Sequence, residues 1–330
     1  MTFIKKYAPV VVFAYNRLFQ LTKTIESLKD NIYADSTDLI IYSDGPKDDD
    51  SIESVQCVRD YIDRIDGFLS VTIYKQDKNL GLADSIVLGV TETIEKYGKV
   101  IVLEDDLVTT QTFLEFMNSA LDYYEHDNQV MQISGYFPFT TNSFLPETFF
   151  LNHVTSTGWA TWQRSWKYFH REGEIFLNKF TKDDIYKFNL DGKLDIYSDL
   201  IFNIKGENRT WRIFWDLCVY INNGLVLYSN KSKTLNTGFD GSGDVCNPIK
   251  LPQSIENDNH IKYLTNIFTV NKYAYLIYSD LMNKYFNNSF TIRAIAKYIL
   301  INLLGINRFT IKKFLKKIHK LKTKFLKLNN

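Results

Sequence analysis

The segment at residues 99–107 reads KVIVLEDDL, an apolar run that ends in three adjacent carboxylates. Such a run is typical of a parallel strand covered on both faces. In open α/β sheets, ligands bind beyond the carboxyl ends of the strands. Adjacent carboxylates repel one another, and a hard divalent cation relieves that repulsion. The segment therefore predicts a buried strand that ends at a Mn²⁺ or Mg²⁺ site, with a solvated acidic turn as the alternative.

The same alternation of apolar runs and helical patterns extends through the first 135 residues. Strands are predicted at Pro9–Ala14, Leu39–Tyr42, Leu69–Tyr74, Lys99–Leu103 and Val130–Ser134. Apolar residues at helical spacing predict helices over residues 18–29, 55–65, 82–94 and 113–124. This βαβα order predicts an α/β fold with a doubly wound, mostly parallel sheet. We expect one compact domain over 1–245 and a helical C-terminal extension over 246–330.

The composition restricts the classes of function. Hydrophobic residues make up 45% of the 330 residues and charged residues 23%, which excludes a disordered chain. Nine Lys or Arg and no acid lie in residues 308–330, so the rest of the chain has an excess of acidic side chains. A nucleic-acid binder needs a basic working face. No nucleic-acid partner is therefore expected.

Polar residues also follow the other predicted strands. The first is followed by AYNR (residues 14–17), the second by Asp44 and the third by KNLG (residues 78–81). No GxGxxG or GxxxxGK[ST] pattern is present, so neither a dinucleotide-binding fold nor a P-loop is predicted. Asp44 fits either a turn or a nucleotide contact. Arg17 fits either a helix start or a clamp on phosphate.

The segments PVVVFAYNR, IIYSDG, KNLGLADS and VIVLEDDL, in this order, resemble GT-A-type nucleotide-sugar glycosyltransferases of the broad family 2 kind. They are most similar to the inverting N-acetylglucosaminyltransferase of early N-glycan maturation and to bacterial polysaccharide transferases. The resemblance covers roughly residues 8–245. It implies a GT-A-type fold and inverting, metal-dependent transfer from a nucleotide sugar, expected to be UDP-linked.

The resemblance also implies roles for individual residues. Asp106 is expected to hold the metal ion, with Glu104 and Asp105 contacting the nucleotide sugar. Asp44 is assigned to the uridine, and Arg17 to the nucleotide side of the donor. The remaining donor-binding residues that it implies are Ala14, Asn16, Asn79 and Gly81.

Residues 157–162 read TGWATW and resemble the stretch that shapes the donor-sugar and acceptor pocket. A tryptophan face suits the apolar C–H face of a pyranose, so Trp159 is expected to bind the donor sugar, with aromatic core as the alternative. For Trp162 and Trp166, four residues apart, we predict aromatic core.

The stretch from Thr210 to Gly243 resembles the one that carries the catalytic base and a closing loop. Asp216 is the first candidate for the base that takes the acceptor proton, and Glu207 and Asp199 are the alternatives. Glycines at 238, 241 and 243 favour either a loop that closes on the donor or an ordinary surface turn. A histidine expected after this loop is absent, and Asp244 stands there instead.

The tail at 308–330 combines an apolar stripe with many lysines. This pattern predicts binding to an anionic membrane surface, with a docked terminal helix as the alternative. A coiled coil is disfavoured because no acids flank the lysines. The three separate cysteines favour a reducing compartment, and no apolar run reaches spanning length. We expect a cytoplasmic protein, peripheral on the inner face of a bacterial plasma membrane.

The expected function is transfer of a sugar to a glycan or lipid-linked glycan acceptor in surface polysaccharide synthesis. A sugar nucleotidyltransferase is one alternative, but it would show a Gly-rich basic loop where AYNR stands. A non-catalytic carbohydrate-binding protein on the same fold is another. It would not need carboxylates at the strand ends.

Overall fold

The fold was analysed in a computed structural model of the chain. The structure describes residues 7–138, 144–177, 180–206, 210–238, 254–255 and 259–287. By its internal contacts the chain divides into two units, Met1–Ser279 and Asp280–Asn330. The candidate site lies in the first unit. In the second unit, the described residues 280–287 comprise the end of a helix and a π-helical turn at Asn283–Asn287.

The described strands form an eight-stranded sheet and a two-stranded sheet. They are β1 (Val10–Ala14), β2 (Asp38–Ser43), β3 (Ser70–Lys75), β4 (Lys99–Glu104), β5 (Leu107–Thr109), β6 (Val130–Ser134), β7 (Thr148–Leu151), β8 (Trp159–Trp162), β9 (Leu225–Ser229) and β10 (Thr234–Asn236). The order in the large sheet is β3-β2-β1-β4-β8-β6-β9-β7, and β10 pairs with β5. Only β8 and β7 run antiparallel to their described neighbours in the large sheet. The predicted α/β fold with a mostly parallel sheet is confirmed.

Helices connect the strands in the predicted βαβα order. In the described residues the α-helices are α1 (Leu18–Lys29), α2 (Ile52–Ile62), α3 (Leu82–Tyr97), α4 (Phe113–Tyr123), α5 (Gln163–Trp166), α6 (Glu174–Leu177), α7 (Lys182–Phe188), α8 (Ile196–Ile204), α9 (Arg212–Ile221) and α10 (Lys272–Met282). The helices predicted before residue 130 are α1 to α4, with ends that shift by a few residues. The boundary predicted at 245 stays a prediction, because residues 239–253 lie outside the described chain, as does the tail at 308–330.

Burial explains why these elements form. All five residues of β1 are buried, as a central strand covered on both faces requires. Helix α1 turns Leu21, Ile25 and Leu28 onto the sheet, which is the spacing of one helical face. Gly98 ends α3 with a φ of +78°, a conformation that glycine adopts without strain. The chain therefore reverses within one residue and enters β4.

The parallel strands end at one edge of the sheet, which we call the carboxyl edge, and begin at the other, the amino edge. Strands β1, β2 and β4 are neighbours with matched registers. Their last residues Ala14, Ser43 and Glu104 therefore lie side by side at the carboxyl edge. This is where open α/β sheets bind ligands.

Candidate active site

The three carboxylates lie at the carboxyl edge, where β4 ends. Glu104 is its last residue and half-buried, and Asp105 and Asp106 are only 4% and 5% exposed. The Thr24 hydroxyl donates to the carbonyl of Asp105 at 2.9 Å. The backbone N–H of Thr237 donates to the carbonyl of Asp106 at 2.8 Å. The acidic turn is therefore held from two sides and is not the solvated turn weighed as its alternative.

Arg17 bridges two of these carboxylates. It follows β1 directly, and its Nη2 pairs with Oδ1 of Asp105 and lies 3.0 Å from Oδ2 of Asp106. Partial burial lowers the pKa of Arg17, but the charges of Asp105 and Asp106 outweigh it and raise the pKa above its usual value. The guanidinium is therefore a fixed positive charge within the acidic cluster.

The carboxylates remain under-compensated despite Arg17. Burial raises the pKa of Asp105 to about 6, although Arg17 opposes the shift. Burial, followed by the charges of Asp106 and Asp105, raises the pKa of Glu104 far above its usual range. Burial is the main cause of both pKa shifts, and the three carboxylates also outnumber the single guanidinium.

Gly238 packs directly against Asp106. A Cβ on residue 238 would overlap Oδ2 of Asp106 and lie 3.2 Å from Nη1 of Arg17. Strand β10, which pairs with β5 just after the acidic turn, delivers this glycine. Sequence reasoning singled out Gly238 as part of a closing loop but missed its contact with Asp106, and missed Thr237. Gly241 and Gly243 lie outside the described residues.

Asp44 holds the loop that follows β3. Its Oδ1 accepts the backbone N–H of Gly45 (2.9 Å) and of Leu80 (2.8 Å). Its Oδ2 accepts the N–H of Gly81 (2.9 Å) and Nδ2 of Asn79 (3.1 Å). The structure thus brings together Asp44, Asn79 and Gly81, the three residues expected near the nucleotide. Asp44 fixes the loop at residues 79–81 by hydrogen bonds. Its assignment to the uridine stays a prediction.

Ala14 and Asn16 also lie at this edge. The carbonyl of Ala14 accepts the N–H of Asp44 at 2.9 Å, which joins the end of β1 to the end of β2. Asn16 is half-buried between Ala14 and Arg17. The candidate donor residues from β1, β2 and β4 therefore lie on adjacent strand ends.

Trp159 lies apart from these groups in an aromatic core. It is 1% exposed, stacked on Trp211 with ring centroids 5.0 Å apart and 5.8 Å from Trp166. Contact between Trp159 and a sugar would require these rings to move, so its donor role stays a prediction. Trp162 and Trp166 are 3% and 5% exposed, which confirms their prediction as core.

Asp216 is also buried, at 1% exposure. Its Oδ1 accepts the N–H of Val154 at 2.9 Å, and its Oδ2 lies 3.5 Å from Nδ1 of His153 and 3.8 Å from Nη1 of Arg212. None of these partners belongs to the acidic cluster. Asp199 lies half-buried on α8, and Glu207 lies outside the described residues. In the described part of the chain, these contacts of Asp216 do not join it to the donor residues.

Comparison with known families places the chain. The sequence profile of glycosyl transferase family 2 matches residues 10–190, more than half of the chain. This protein belongs to glycosyl transferase family 2. The match contains the acidic cluster, Arg17 and Asp44 and ends before Asp216 and Gly238. The expected resemblance, the GT-A-type α/β fold and the class of glycosyltransferase are thereby confirmed.

The other comparisons add less about this family 2 chain. No curated protein matches it. Among solved structures, TarS of S. aureus matches with a TM-score of 0.39 and 12% identity, over 69% of this chain and 36% of TarS. The family 2 chain thus spans about a third of that protein.

Family 2 enzymes generally use a divalent metal ion, and the acidic cluster fits one chemically. Oxygen ligands with unbalanced negative charge are what Mn²⁺ and Mg²⁺ prefer. Among the described residues, no three His, Cys, Asp or Glu side chains converge into a complete metal site. The role of Asp106 as metal ligand stays a prediction.

Proposed function

We propose that this protein transfers a sugar, with inversion, from a UDP-linked donor to a glycan or lipid-linked glycan acceptor in surface polysaccharide synthesis. The observation that carries the proposal is the acidic cluster at the carboxyl edge, with Glu104 half-buried and Asp105 and Asp106 buried and bridged by Arg17. This cluster provides carboxylates that can bind a cation and a guanidinium that can bind phosphate. A diphosphate leaving group bound to a divalent metal needs both.

The charge of each residue indicates its proposed role. Asp106 would hold Mn²⁺ or Mg²⁺, which supplies positive charge to the departing diphosphate. Arg17 would leave the aspartates and pair with phosphate oxygens, for which its planar fork is suited. Glu104 and Asp105 would accept hydrogen bonds from sugar or ribose hydroxyls. Asp44 would keep the 79–81 loop in place over the nucleotide.

The acceptor hydroxyl must lose its proton as it attacks the anomeric carbon. Asp216 is our first candidate for the base, and its burial means that it can reach an acceptor only after a conformational change exposes it. Asp199 and Glu207 remain the alternatives. All three lie beyond the part matched by the family, so their roles rest on this chain alone.

The two other readings lack support at the site. A nucleotidyltransferase is disfavoured because Arg17 reaches back to the acidic cluster instead of standing in a glycine-rich loop. A non-catalytic binding protein is disfavoured because burying uncompensated carboxylates costs stability without a cation to bind.

Location is part of the proposal. No helix in the described ranges is long and apolar enough to cross a membrane. We propose that the basic tail at 308–330 attaches the protein to the inner face of a bacterial plasma membrane. Sedimentation with anionic and neutral liposomes tests this, with the full chain compared with a chain ending at Asn307. Equal binding by both chains would contradict it.

The direct test of the function uses purified protein and a panel of nucleotide sugars with Mn²⁺, Mg²⁺ or EDTA. We expect nucleotide release from at least one donor, from UDP-sugars above all, and only with a metal present. Neither binding nor release with any donor would contradict the proposal. Release that persists in EDTA would contradict its metal dependence.

A further inference from the structure

Two neighbouring clefts lie on one flank of the first unit and share Lys167 and His170 as lining residues. We call the two clefts together the groove. The smaller, about 750 Å³, follows α3 between Asp84 and Glu95. The larger, about 1340 Å³, opens at the amino edge beside Gly224, where β9 begins. The two clefts together are longer and larger than a small-molecule pocket, which typically measures about 300–1,000 Å³.

The smaller cleft of the groove follows α3. Helix α3 begins at the carboxyl edge and ends at the amino edge, because it connects the end of β3 to the start of β4. Asp84 lies three residues after Gly81, which is bonded to Asp44. At about 1.5 Å per residue, the stretch from Asp84 to Glu95 spans about 16 Å. The smaller cleft therefore begins on α3 shortly after the loop bonded to Asp44, where Arg171 pairs with Asp84, and it shares lining residues with the larger cleft.

The lining of the larger cleft includes both aromatic rings and amides. Tyr168 is 43% exposed, and Tyr220 and Tyr275 are half-buried. Asn222 and Asn223 are exposed and line the same cleft. Aromatic faces pack against the C–H faces of pyranoses, and amides both donate to and accept from hydroxyls. An extended oligosaccharide has both C–H faces for the aromatic rings and hydroxyls for the amides.

The charges and one buried amide favour the same ligand. Lys187 and Lys272 share the cleft with Asp184 and Asp191, so it lacks the single positive sign that a nucleic acid requires. Asn152 also lines the cleft, and its Oδ1 is buried without a hydrogen-bond partner in the described structure. A ligand hydroxyl could satisfy that oxygen, whereas an apolar helix or lipid would leave it unpaired.

We propose that this groove binds an extended glycan chain. That the bound glycan is the acceptor of the sugar rests on the proposed function. A chain held along α3 would present its end to the donor at the carboxyl edge and raise the local concentration of acceptor ends. Longer acceptors would then react at lower concentrations than short ones.

Binding is tested without donor or metal, so that it is independent of transfer. The probes are fluorescein-labelled chitohexaose and maltohexaose, each with its disaccharide, measured by fluorescence anisotropy. We expect at least one hexasaccharide to bind saturably and at least about tenfold more tightly than its disaccharide. The double variant Tyr168→Ala/Lys272→Ala should weaken that binding at least about fivefold. Tyr123→Ala, which removes a 54% exposed tyrosine outside the groove, should leave it unchanged.

Either of two results would overturn the proposal: neither hexasaccharide binds, or the double variant binds as tightly as the parent. Failure of the proposed function is distinguishable. Glycan binding without nucleotide release from any donor would refute the transferase and leave the groove intact. Donor turnover without glycan binding would refute the groove alone.

Discussion

Nη2 of Arg17 lies 3.0 Å from Oδ2 of Asp106, so a positive side chain occupies the carboxylate that is proposed to hold the metal ion. The same guanidinium pairs with Asp105. In this state Arg17 takes the place of a cation in the acidic cluster. If Asp106 holds the metal ion as proposed, the metal and Arg17 would compete for it until a diphosphate offers Arg17 another partner.

Replacing Arg17 should separate metal binding from turnover. In Arg17→Gln we expect Mn²⁺ alone to bind about fivefold more tightly, because its competitor for Asp106 is gone. Donor turnover should fall about 10²-fold, because the diphosphate loses its clamp. Calorimetric titration of Mn²⁺ and a nucleotide-release assay measure the two effects. Arg64→Gln, at an exposed position, is the matched control, and weaker Mn²⁺ binding in Arg17→Gln would contradict the competition.

The hydrogen bonds that Asp44 accepts should contribute to stability and to donor affinity. Asp44→Asn puts an amide N–H₂ where one oxygen accepted two donors, so bonds to Gly81 and Asn79 are lost. The free energy of unfolding should fall by about 1–3 kcal/mol, and the KM for the donor should rise. Denaturant titration and kinetics check this, with the exposed Asp77→Asn as control. Unchanged stability would show that Asp44 does not hold the loop.

The buried Asp105 should make stability depend on pH. Its pKa is about 6 in the folded protein, against a model-compound value of 3.8. The folded state therefore binds the proton more tightly, and the unfolding free energy contributed by this group falls as pH rises from about 4 to 6. The loss is about 3 kcal/mol. Denaturant unfolding without metal should show this slope in the parent protein, and Asp105→Asn should flatten it. Equal slopes would contradict the shift.

The base assignment has its own test at Asp216. An asparagine there keeps an oxygen to accept the N–H of Val154, so the fold should persist. If Asp216 is the base, Asp216→Asn abolishes transfer and leaves metal-dependent donor binding intact. A melting temperature lowered by several degrees with transfer retained would give Asp216 a structural role. The search for the base would then move to Asp199 and Glu207.

Local patterns predicted the elements that build the site. The run KVIVLE forms β4, with its four central residues buried and carboxylates at its end, as its apolar pattern predicted. Strand β6 begins and ends where the sequence predicted it, at Val130–Ser134. Such elements are recognisable because a short apolar run and a helical spacing are both local signals.

Contacts between distant residues were not predictable in this way. The sequence predicted that Trp159 contacts the donor sugar, but in the structure Trp159 is stacked on Trp211, which lies 52 positions later in the chain. Strand β8 is a four-residue apolar run, and nothing in WATW indicates that it inserts antiparallel between β4 and β6. Gly238 reaches Asp106 only because β10 pairs with β5.

The most direct measurement is Mn²⁺-dependent nucleotide release by Asp106→Asn, using a donor that the parent protein turns over. The substitution keeps the shape of the side chain and removes the charge that holds the cation. Asp50→Asn, an exposed acid that follows β2 at the same edge, is the matched control. We expect a loss of at least about 10²-fold in Asp106→Asn with the fold retained, and normal release in Asp50→Asn. Near-normal Mn²⁺-dependent release by Asp106→Asn would contradict it.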